Sequence, residues 1–379
     1  MAEGLWERIM LHFRERIERG ELRPGDRLPS DARLAAEWGV SRPTAHRALA
    51  ELRRLGLVVR TKGSGTVVAD RAEARTGRVA LIVDRMDPRY NFPHTDLLRG
   101  IQDALGEETG LVVARSDDDP RREARLLDRF ALDADGILAY PVATPRNNEA
   151  FHRAIDGGTP VVALDRRPEG LRTDLVATNN KDATRRAVEL LLAEGHRRIA
   201  FFSFHKPTFS SVADRHAAFV EALRGAGCGD PEPWVRWFPQ ALENEPALLI
   251  QAVRDALIAL TRPSEGVTAV FCVEDYVALA TLEAAEGAGL RAPQDLRLAF
   301  FNDWPQLMFR DPWRHHRVVQ DVYGIGRRAT EQLQRRMDGD RSGPVTIEVP
   351  ALLHPATESG PASALAAVAL SPIHRTNGG

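Results

Sequence analysis

Carboxylates stand at or just after the ends of several short apolar segments that have the length of β-strands. Asp84, Asp165, Asp275 and Asp303 share this position, and Arg215 and Gln320 add a guanidinium and an amide. Carboxylates accept hydrogen bonds, guanidinium groups donate them and amides do both, so the set suits a polyol, whose hydroxyls also donate and accept. We therefore expect a site for a small polar molecule, made by Asp84, Asp165, Arg215, Asp275, Asp303 and Gln320.

Glu274 and Asp275 allow a second interpretation. Both precede a predicted helix, and an acidic residue at a helix start is also a good N-cap that complements the helix dipole. The residues alone leave both roles open.

A second group of residues is basic. Between positions 41 and 62, six Lys and Arg side chains stand against one Glu, a local net charge of +5, whereas the whole chain carries −2. A basic segment in a nearly neutral chain is typical of a small nucleic-acid-binding module attached to a neutral domain. Charge alone would fit a solvated helix face equally well.

The elements that carry this basic segment are short. Apolar residues at a spacing of four predict an amphipathic helix over 5–19. Ser30 is a predicted N-cap for a helix that ends at Trp38, and Ser41 caps a third helix that runs to about Leu55. Strands over 57–60 and 66–68 flank a glycine-rich hairpin tip.

After residue 78 apolar strands alternate with helical patterns, the clearest helix being 182–194. This alternation predicts parallel sheets with helices on both faces. The segment is too long for one such sheet, so two α/β lobes are expected. The predicted strands are 79–84, 111–115, 136–140, 161–165, 175–178, 199–204, 234–237, 269–273 and 298–301.

Composition excludes several classes of protein. Hydrophobic residues make up 43% and charged residues 27%, an ordinary globular balance. No apolar run approaches the roughly 20 residues that a membrane span needs, and the first ten residues lack a secretory apolar core. Cys228 and Cys272 are predicted to be free thiols in a reducing cytoplasm. We expect no metal site and no cofactor.

The N-terminal segment resembles the GntR family of winged helix-turn-helix proteins over nearly all of residues 5–68. The resemblance rests on GELRPGDRLPS at 20–30, GVSRPTAHRAL at 39–49, GLV at 56–58 and GSGT at 63–66. It implies that the third helix enters the major groove of DNA. The residues expected to contact DNA are Ser30, Arg33, Ser41, Arg42, Thr44, His46, Arg47, Lys62, Gly63 and Gly65. Ala32 and His46 stand where the family usually has Arg, so its usual operator sequence is not expected.

Residues 78–355 resemble the effector domain of LacI-type regulators, which is similar to periplasmic sugar-binding proteins. The resemblance rests on LLRGI at 97–101, VVALDR at 161–166, AVELLLAEGHRRIA at 187–200, EDYVAL at 274–279, FND at 301–303 and GRRA at 326–329. It implies an effector site between two lobes and adds His94, which stands where many relatives have a ligand-contacting aromatic. Asn302 and the segment 354–359 also depart from the family pattern and leave the effector unidentified.

The predicted organisation is an α+β winged helix-turn-helix at 1–69, a linker at 70–77, a two-lobed α/β parallel-sheet domain at 78–359 and a disordered tail at 360–379. The resemblances imply a cytoplasmic, homodimeric DNA-binding regulator, a repressor rather than an enzyme, controlled by a sugar as in the arabinose-repressor branch. An activator or a sensor of a non-sugar ligand such as a purine is the alternative.

A pyridoxal-phosphate fusion regulator is a remote alternative. It needs a Schiff-base lysine. The chain has three lysines, Lys62, Lys181 and Lys206, and none lies in a convincing pocket in the sequence pattern.

Overall fold

The computed structural model describes residues 4–54, 56–61, 65–69, 76–84, 95–261, 266–301 and 314–357. Several predictions lie outside these ranges: the sites at Lys62, Gly63, His94 and Asp303, most of the linker 70–77, and the tail 360–379. The chain divides into two compact units, Met1–Val176 with Tyr323–Ile347, and Ala177–Val322 with Glu348–Gly379.

The N-terminal domain has three helices and a hairpin, as predicted. The elements are α1 (Leu5–Glu18), α2 (Asp31–Trp38), α3 (Arg42–Arg54), β1 (Val58–Thr61) and β2 (Gly65–Val68). Ser30 caps α2, because its side chain accepts a hydrogen bond from the backbone N–H of Arg33. The three helices bury Ile9, Phe13, Leu34 and Leu49 in one small core, which fixes the direction of α3.

The first lobe is built on a six-stranded sheet in the order β13-β7-β6-β5-β3-β4, in which β3 to β7 pair in parallel. Its strands are β3 (Arg78–Val83), β4 (Gly110–Arg115), β5 (Gly136–Ala139), β6 (Val161–Leu164), β7 (Asp174–Thr178) and β13 (Thr346–Val349). Its helices are α4 (Thr95–Leu105), α5 (Pro120–Asp133), α6 (Asn148–Asp156) and α11 (Val322–Met337).

Helix α11 comes late in the chain but packs on α4 of the first lobe. The two backbones approach so closely that a Cβ atom on Gly100 would collide with the carbonyl group of Tyr323. A Cβ atom on Gly326 would likewise meet the carbonyl oxygen of Leu97. Two of the glycines in the quoted motifs therefore allow this helix contact.

The second lobe has a sheet in the order β14-β12-β11-β10-β8-β9, parallel except at β14. Its strands are β8 (Ile199–Phe204), β9 (Val235–Phe238), β10 (Ala269–Cys272), β11 (Arg297–Phe301), β12 (His316–Val319) and β14 (Leu352–His354). Its helices are α7 (Asn180–Ala193), α8 (Ser210–Gly225), α9 (Pro246–Leu260) and α10 (Asp275–Gly287). All six residues of β8 are buried, and alternate ones enter two separate cores.

Each of the nine predicted α/β strands is present, and no strand end differs from its predicted position by more than one residue. Strands β12, β13 and β14 escaped prediction because they are short and carry polar or exposed residues. Both cysteines are free, as predicted, and Cys272 is fully buried.

Candidate functional site

The start of α3 presents polar groups at the protein surface. The Ser41 hydroxyl accepts a hydrogen bond from the backbone N–H of Thr44 and lies 2.7 Å from the Thr44 hydroxyl oxygen. Arg42, the first residue of the helix, is exposed. The free N–H groups and positive dipole end of a helix attract anions, and Arg42 adds a cation there. This end of α3 can therefore hold a phosphate or reach a base edge.

The other predicted DNA contacts already interact within the domain. His46 Nδ1 lies 3.0 Å from Asp31 Oδ2, and both side chains are about half exposed. Arg33 forms an exposed ion pair with Glu37 at 2.8 Å. The Arg47 guanidinium carbon lies 4.2 Å from the centre of a Trp6 ring. Gly65 begins β2 with a φ of 82°, a conformation that favours glycine.

We call Asp84, Tyr140, Asp165 and Arg166 the first-lobe cluster. All four follow the carboxyl ends of β3, β5 and β6, and β3 and β5 flank the point where the strand order of this sheet reverses. Arg166 lies 2.6 Å from Asp84 and 3.3 Å from Asp165, and its Nε donates to the carbonyl of Pro141 at 2.9 Å. Ligands of open α/β sheets bind at this reversal.

The electrostatics of the first-lobe cluster are strongly perturbed. Burial alone would lower the pKa of Arg166, but Asp84 and Asp165 outweigh it and raise that pKa. Burial, with Asp165 and Asp84, raises the pKa of Tyr140. Asp165 has a φ of 65°, which costs a non-glycine residue about 1 kcal/mol or more. Strain and shifted pKa values of this kind concentrate at functional sites.

The second-lobe cluster surrounds the corresponding reversal point, between β8 and β10. Its side chains come from the ends of β8, β10 and β12 and from neighbouring loops and helices: Ser203, Lys206, Arg215, Glu243, Glu274, Asp275 and Gln320. Lys206 pairs with Glu243 at 2.9 Å, and the Ser203 hydroxyl lies 3.2 Å from Glu274.

Arg215 organises one side of the second-lobe cluster. Its Nε donates to Asn180 at 2.8 Å, its Nη1 to the Val273 carbonyl at 3.0 Å, and its Nη2 to Gln320 at 3.4 Å. Its guanidinium carbon lies 3.7 Å from the Phe301 ring centre. Only 5% of Arg215 is exposed, so it acts first by holding Gln320 and Asn180 in place.

Two neighbouring carboxyl groups of this cluster have raised pKa values. Burial raises the pKa of Glu274 to about 7, and Lys206 and Arg215 only partly offset it. Burial also raises the pKa of Asp275 to about 6, although a hydrogen bond from the Tyr276 N–H opposes the shift. Glu274 is at the N-cap position of α10 but makes no side-chain cap hydrogen bond. The N-cap interpretation therefore does not describe Glu274.

The structure brings the predicted residues together in two sets. Asp84 and Asp165 meet through Arg166, and Arg215 meets Gln320. Sequence reasoning missed other members of the clusters: Tyr140, Arg166, Ser203, Lys206 and Glu243. Lys206 could have been found, because it is one of only three lysines and follows a buried strand closely.

Comparisons with known proteins assign both parts of the chain. Residues 5–68 match the family described as bacterial regulatory proteins, gntR family. Residues 188–355 match the periplasmic binding protein-like domain, a stretch that includes most of the second lobe and α11 and β13 of the first lobe. None of the helices in the described ranges is long and apolar enough to cross a membrane.

The relatives include transcription regulators. An arabinose metabolism transcriptional repressor of Geobacillus stearothermophilus is 25% identical over 294 residues, 75% of this chain and 78% of that protein. A histidine utilization repressor of Klebsiella aerogenes is 48% identical over 187 residues, 47% of this chain and 66% of that protein. The crystal structure of transcription regulator CcpA of Lactococcus lactis matches 74% of this chain and 97% of its own, with a TM-score of 0.62 and 21% identity.

Proposed function

Because the chain is a transcriptional regulator that joins a GntR-family helix-turn-helix to a periplasmic-binding-protein-like domain, we propose that it represses genes by binding operator DNA and leaves the DNA when a sugar binds. It acts as a homodimer in the cytoplasm, without enzymatic activity of its own. We also propose that the DNA-binding domain ends at residue 69, the linker at residue 77 and the effector domain at residue 359.

The exposed start of α3 carries the DNA-binding half of the proposal. In helix-turn-helix proteins the N-terminal side chains of the second helix of the motif reach base edges, while neighbouring groups hold phosphates. Arg42 is available for a guanine or a phosphate, and Ser41 and Thr44 supply hydroxyls. One such domain contacts little DNA, so two copies on paired half-sites are expected.

Salt dependence tests this half of the proposal. Two domains that together contact roughly 6–10 phosphates should lose about a thousandfold to a hundred-thousandfold in affinity between 50 and 200 mM salt. Fluorescence anisotropy with the DNA upstream of the chain's own gene measures this. An affinity that ignores salt would contradict operator binding, and a monomer in sedimentation, both free and on DNA, would contradict the dimer.

The two polar clusters support the effector half of the proposal. Each lies at the carboxyl edge of a sheet and mixes carboxylates, a guanidinium and hydroxyl or amide groups, which matches the donors and acceptors of a polyol. The similarity to an arabinose metabolism repressor points to the same class. The residues proposed to contact the effector in the described ranges are Asp84, Asp165, Arg215, Asp275 and Gln320.

A ligand screen on the full chain tests the effector class. Pentoses, hexoses, sugar acids, nucleosides and amino acids are compared by thermal shift, and each stabilising ligand is then titrated against operator binding. A sugar that stabilises the protein and weakens DNA binding is the expected result. If no sugar stabilises the protein but a ligand of another class does, the proposed sugar effector is wrong, while the proposed DNA-binding regulator is unaffected.

A matched pair of variants tests the placement of the site. Asp84→Asn should weaken effector binding by about tenfold or more, because a charged hydrogen bond contributes about 1.5–3 kcal/mol. Asp128→Asn changes an exposed carboxylate of the same lobe that pairs with Arg153, and should leave binding unchanged. Equal binding by both variants would move the site away from Asp84.

A non-sugar effector is the second candidate. The 48% identity to a histidine utilization repressor favours an amino acid or a related compound. The amino acids and nucleosides in the same screen decide between the two candidates.

A further inference from the structure

The unusual residue His46 has a partner that decides which of its atoms can read DNA. His46 lies one turn after Arg42 on α3, and its Nδ1 is 3.0 Å from Asp31 Oδ2 at the start of α2. A carboxylate only accepts hydrogen bonds. The hydrogen of this bond therefore belongs to Nδ1 of His46, and Asp31 selects that tautomer.

The tautomer leaves Nε2 as the remaining polar atom of the ring. The His46 side chain is 55% exposed although it is bonded to Asp31, so the ring is accessible from outside the domain. On a neutral imidazole whose Nδ1 carries the hydrogen, Nε2 is an acceptor. An arginine at this place could only donate hydrogen bonds, so the two residue types present opposite groups.

In the major groove an acceptor pairs with an exocyclic amino group, which adenine and cytosine carry, whereas a donor pairs with O6 or N7 of guanine. We propose that Asp31 is a positioning residue that makes His46 Nε2 an acceptor, so that one base of each operator half-site is selected as adenine or cytosine. This inference rests on the proposed DNA binding and specifies one position of the operator.

Among the described residues, the charged neighbours Arg33 and Arg47 do not offer His46 another hydrogen-bond acceptor. Arg33, on α2 with Asp31, forms an ion pair with Glu37 at 2.8 Å. Arg47, which follows His46 on α3, stacks on Trp6. Both neighbours are cations, which cannot accept from the ring. Asp31 is therefore the group that sets the hydrogen position of His46 in this part of the domain.

Selection from random DNA at pH 8 tests the proposal. The full-length wild type should enrich adenine or cytosine at one position about fivefold or more. His46→Ala should lose that preference, and His46→Arg should change it to guanine. The preference for adenine or cytosine should be kept in Asp31→Glu, because this variant retains a carboxylate.

Asp31→Asn is the decisive variant, since its amide can donate as well as accept and no longer selects the tautomer. We expect it to lose the preference at this one position and to keep the rest of the operator. Glu37→Gln is the matched control, because it removes a negative charge from the same helix without contacting His46. Its general affinity can change, but the base preference should stay.

Circular dichroism melting of each variant shows whether α2 still folds. An unchanged preference in Asp31→Asn, or guanine enrichment by the wild type, would overturn the role of Asp31. An unchanged preference in His46→Ala would overturn the role of His46. If no sequence is enriched by the wild type, the proposed DNA binding itself fails.

Discussion

The Arg33–Glu37 pair of the N-terminal domain and the Arg336–Asp174 pair of the first lobe have similar N···O distances, 2.8 and 2.7 Å. The side chains of the first pair are 74% and 43% exposed, and those of the second are 11% and 3% exposed. The ion pairs recorded among the described residues of the N-terminal domain lie at the surface. The lobes also have exposed pairs, such as Arg153–Asp128, but in addition they bury arginines in hydrogen-bonded clusters, as Arg166 with Asp84.

This difference agrees with the partners proposed for the two regions. A surface that binds DNA gains from charges that can leave weak internal pairs and move to phosphates at little cost in desolvation. A site for a small polar molecule gains from groups that are already held in place, because binding then orders fewer side chains. Arg33 illustrates the first arrangement and Arg215 the second.

The largest effect is expected from the buried pair. Asp174 accepts hydrogen bonds from Arg336, Gln332 and the N–H of Val345. Asp174→Ala should lower the free energy of unfolding of the first lobe by about 3–5 kcal/mol, since it leaves a buried cation. Glu37→Ala, the exposed counterpart, should cost less than about 1 kcal/mol. Hydrogen exchange of peptides from β6, β7 and α2 measures both, and equal costs would remove the contrast.

The second effect concerns pH and separates the two lobes. Hydrogen bonds from Arg336 and its neighbours lower the pKa of Asp174 although burial opposes them, so its stabilisation is lost as pH falls below the usual range of Asp. Burial raises the pKa of Glu274 to about 7. The folded second lobe thus favours protonated Glu274. The contribution of this protonated group to the stability of the lobe is lost as pH rises toward 7.

Glu274→Gln should therefore flatten the pH dependence of the second lobe between about pH 4 and 7 and stabilise it at pH 8 by about 1–3 kcal/mol. Glu221→Gln, which changes an exposed carboxylate on α8, is the control and should change neither. Hydrogen exchange of β8 and β10 peptides at several pH values measures the effect. The same slope in wild type and Glu274→Gln would show that folding does not raise the pKa of Glu274.

The smallest effects are expected at Arg42 and Arg47 of α3, to which we assign different roles. Arg42→Ala should weaken operator binding by about 1–3 kcal/mol if Arg42 reads a base. Arg47→Ala should lower the stability of the N-terminal domain by about 0.5–1 kcal/mol, because it removes the stacking on Trp6. Operator titrations and thermal melts of both variants give the comparison. A larger operator loss for Arg47 than for Arg42 would reverse the assignment.

The sequence predicted the elements best where the signal is local. Ser30 as an N-cap and the continuous apolar run of β8 are local signals, so they could be recognised without the fold. The strands β12, β13 and β14 were missed because they are short and carry polar or exposed residues, which leaves little local signal. The return of α11 to α4 was also hidden, since glycine spacing does not identify a helix partner.

The candidate site was predictable in position and not in detail. Parallel strands put their carboxyl ends at one edge of a sheet, so the strand ends predicted Asp84, Asp165 and Asp275 as neighbours of a ligand. The bond of Arg166 to Asp84 crosses 82 positions of the chain, and no sequence spacing signals it. The hydrogen bonds of Arg215 to Asn180 and Gln320 could not be predicted for the same reason.

The sequence by itself determined the two kinds of domain, the helix that carries Arg42 and His46, and the carboxylates at strand ends, because periodicity, caps and motifs are properties of neighbouring residues. Only the tertiary structure decided which charges are buried and which atoms they contact. Asp31 bonds to His46 because α2 packs on α3, and Glu274 has a raised pKa because the second lobe closes around it. Burial and long-range pairing depend on the whole fold, and they set the chemistry of both regions.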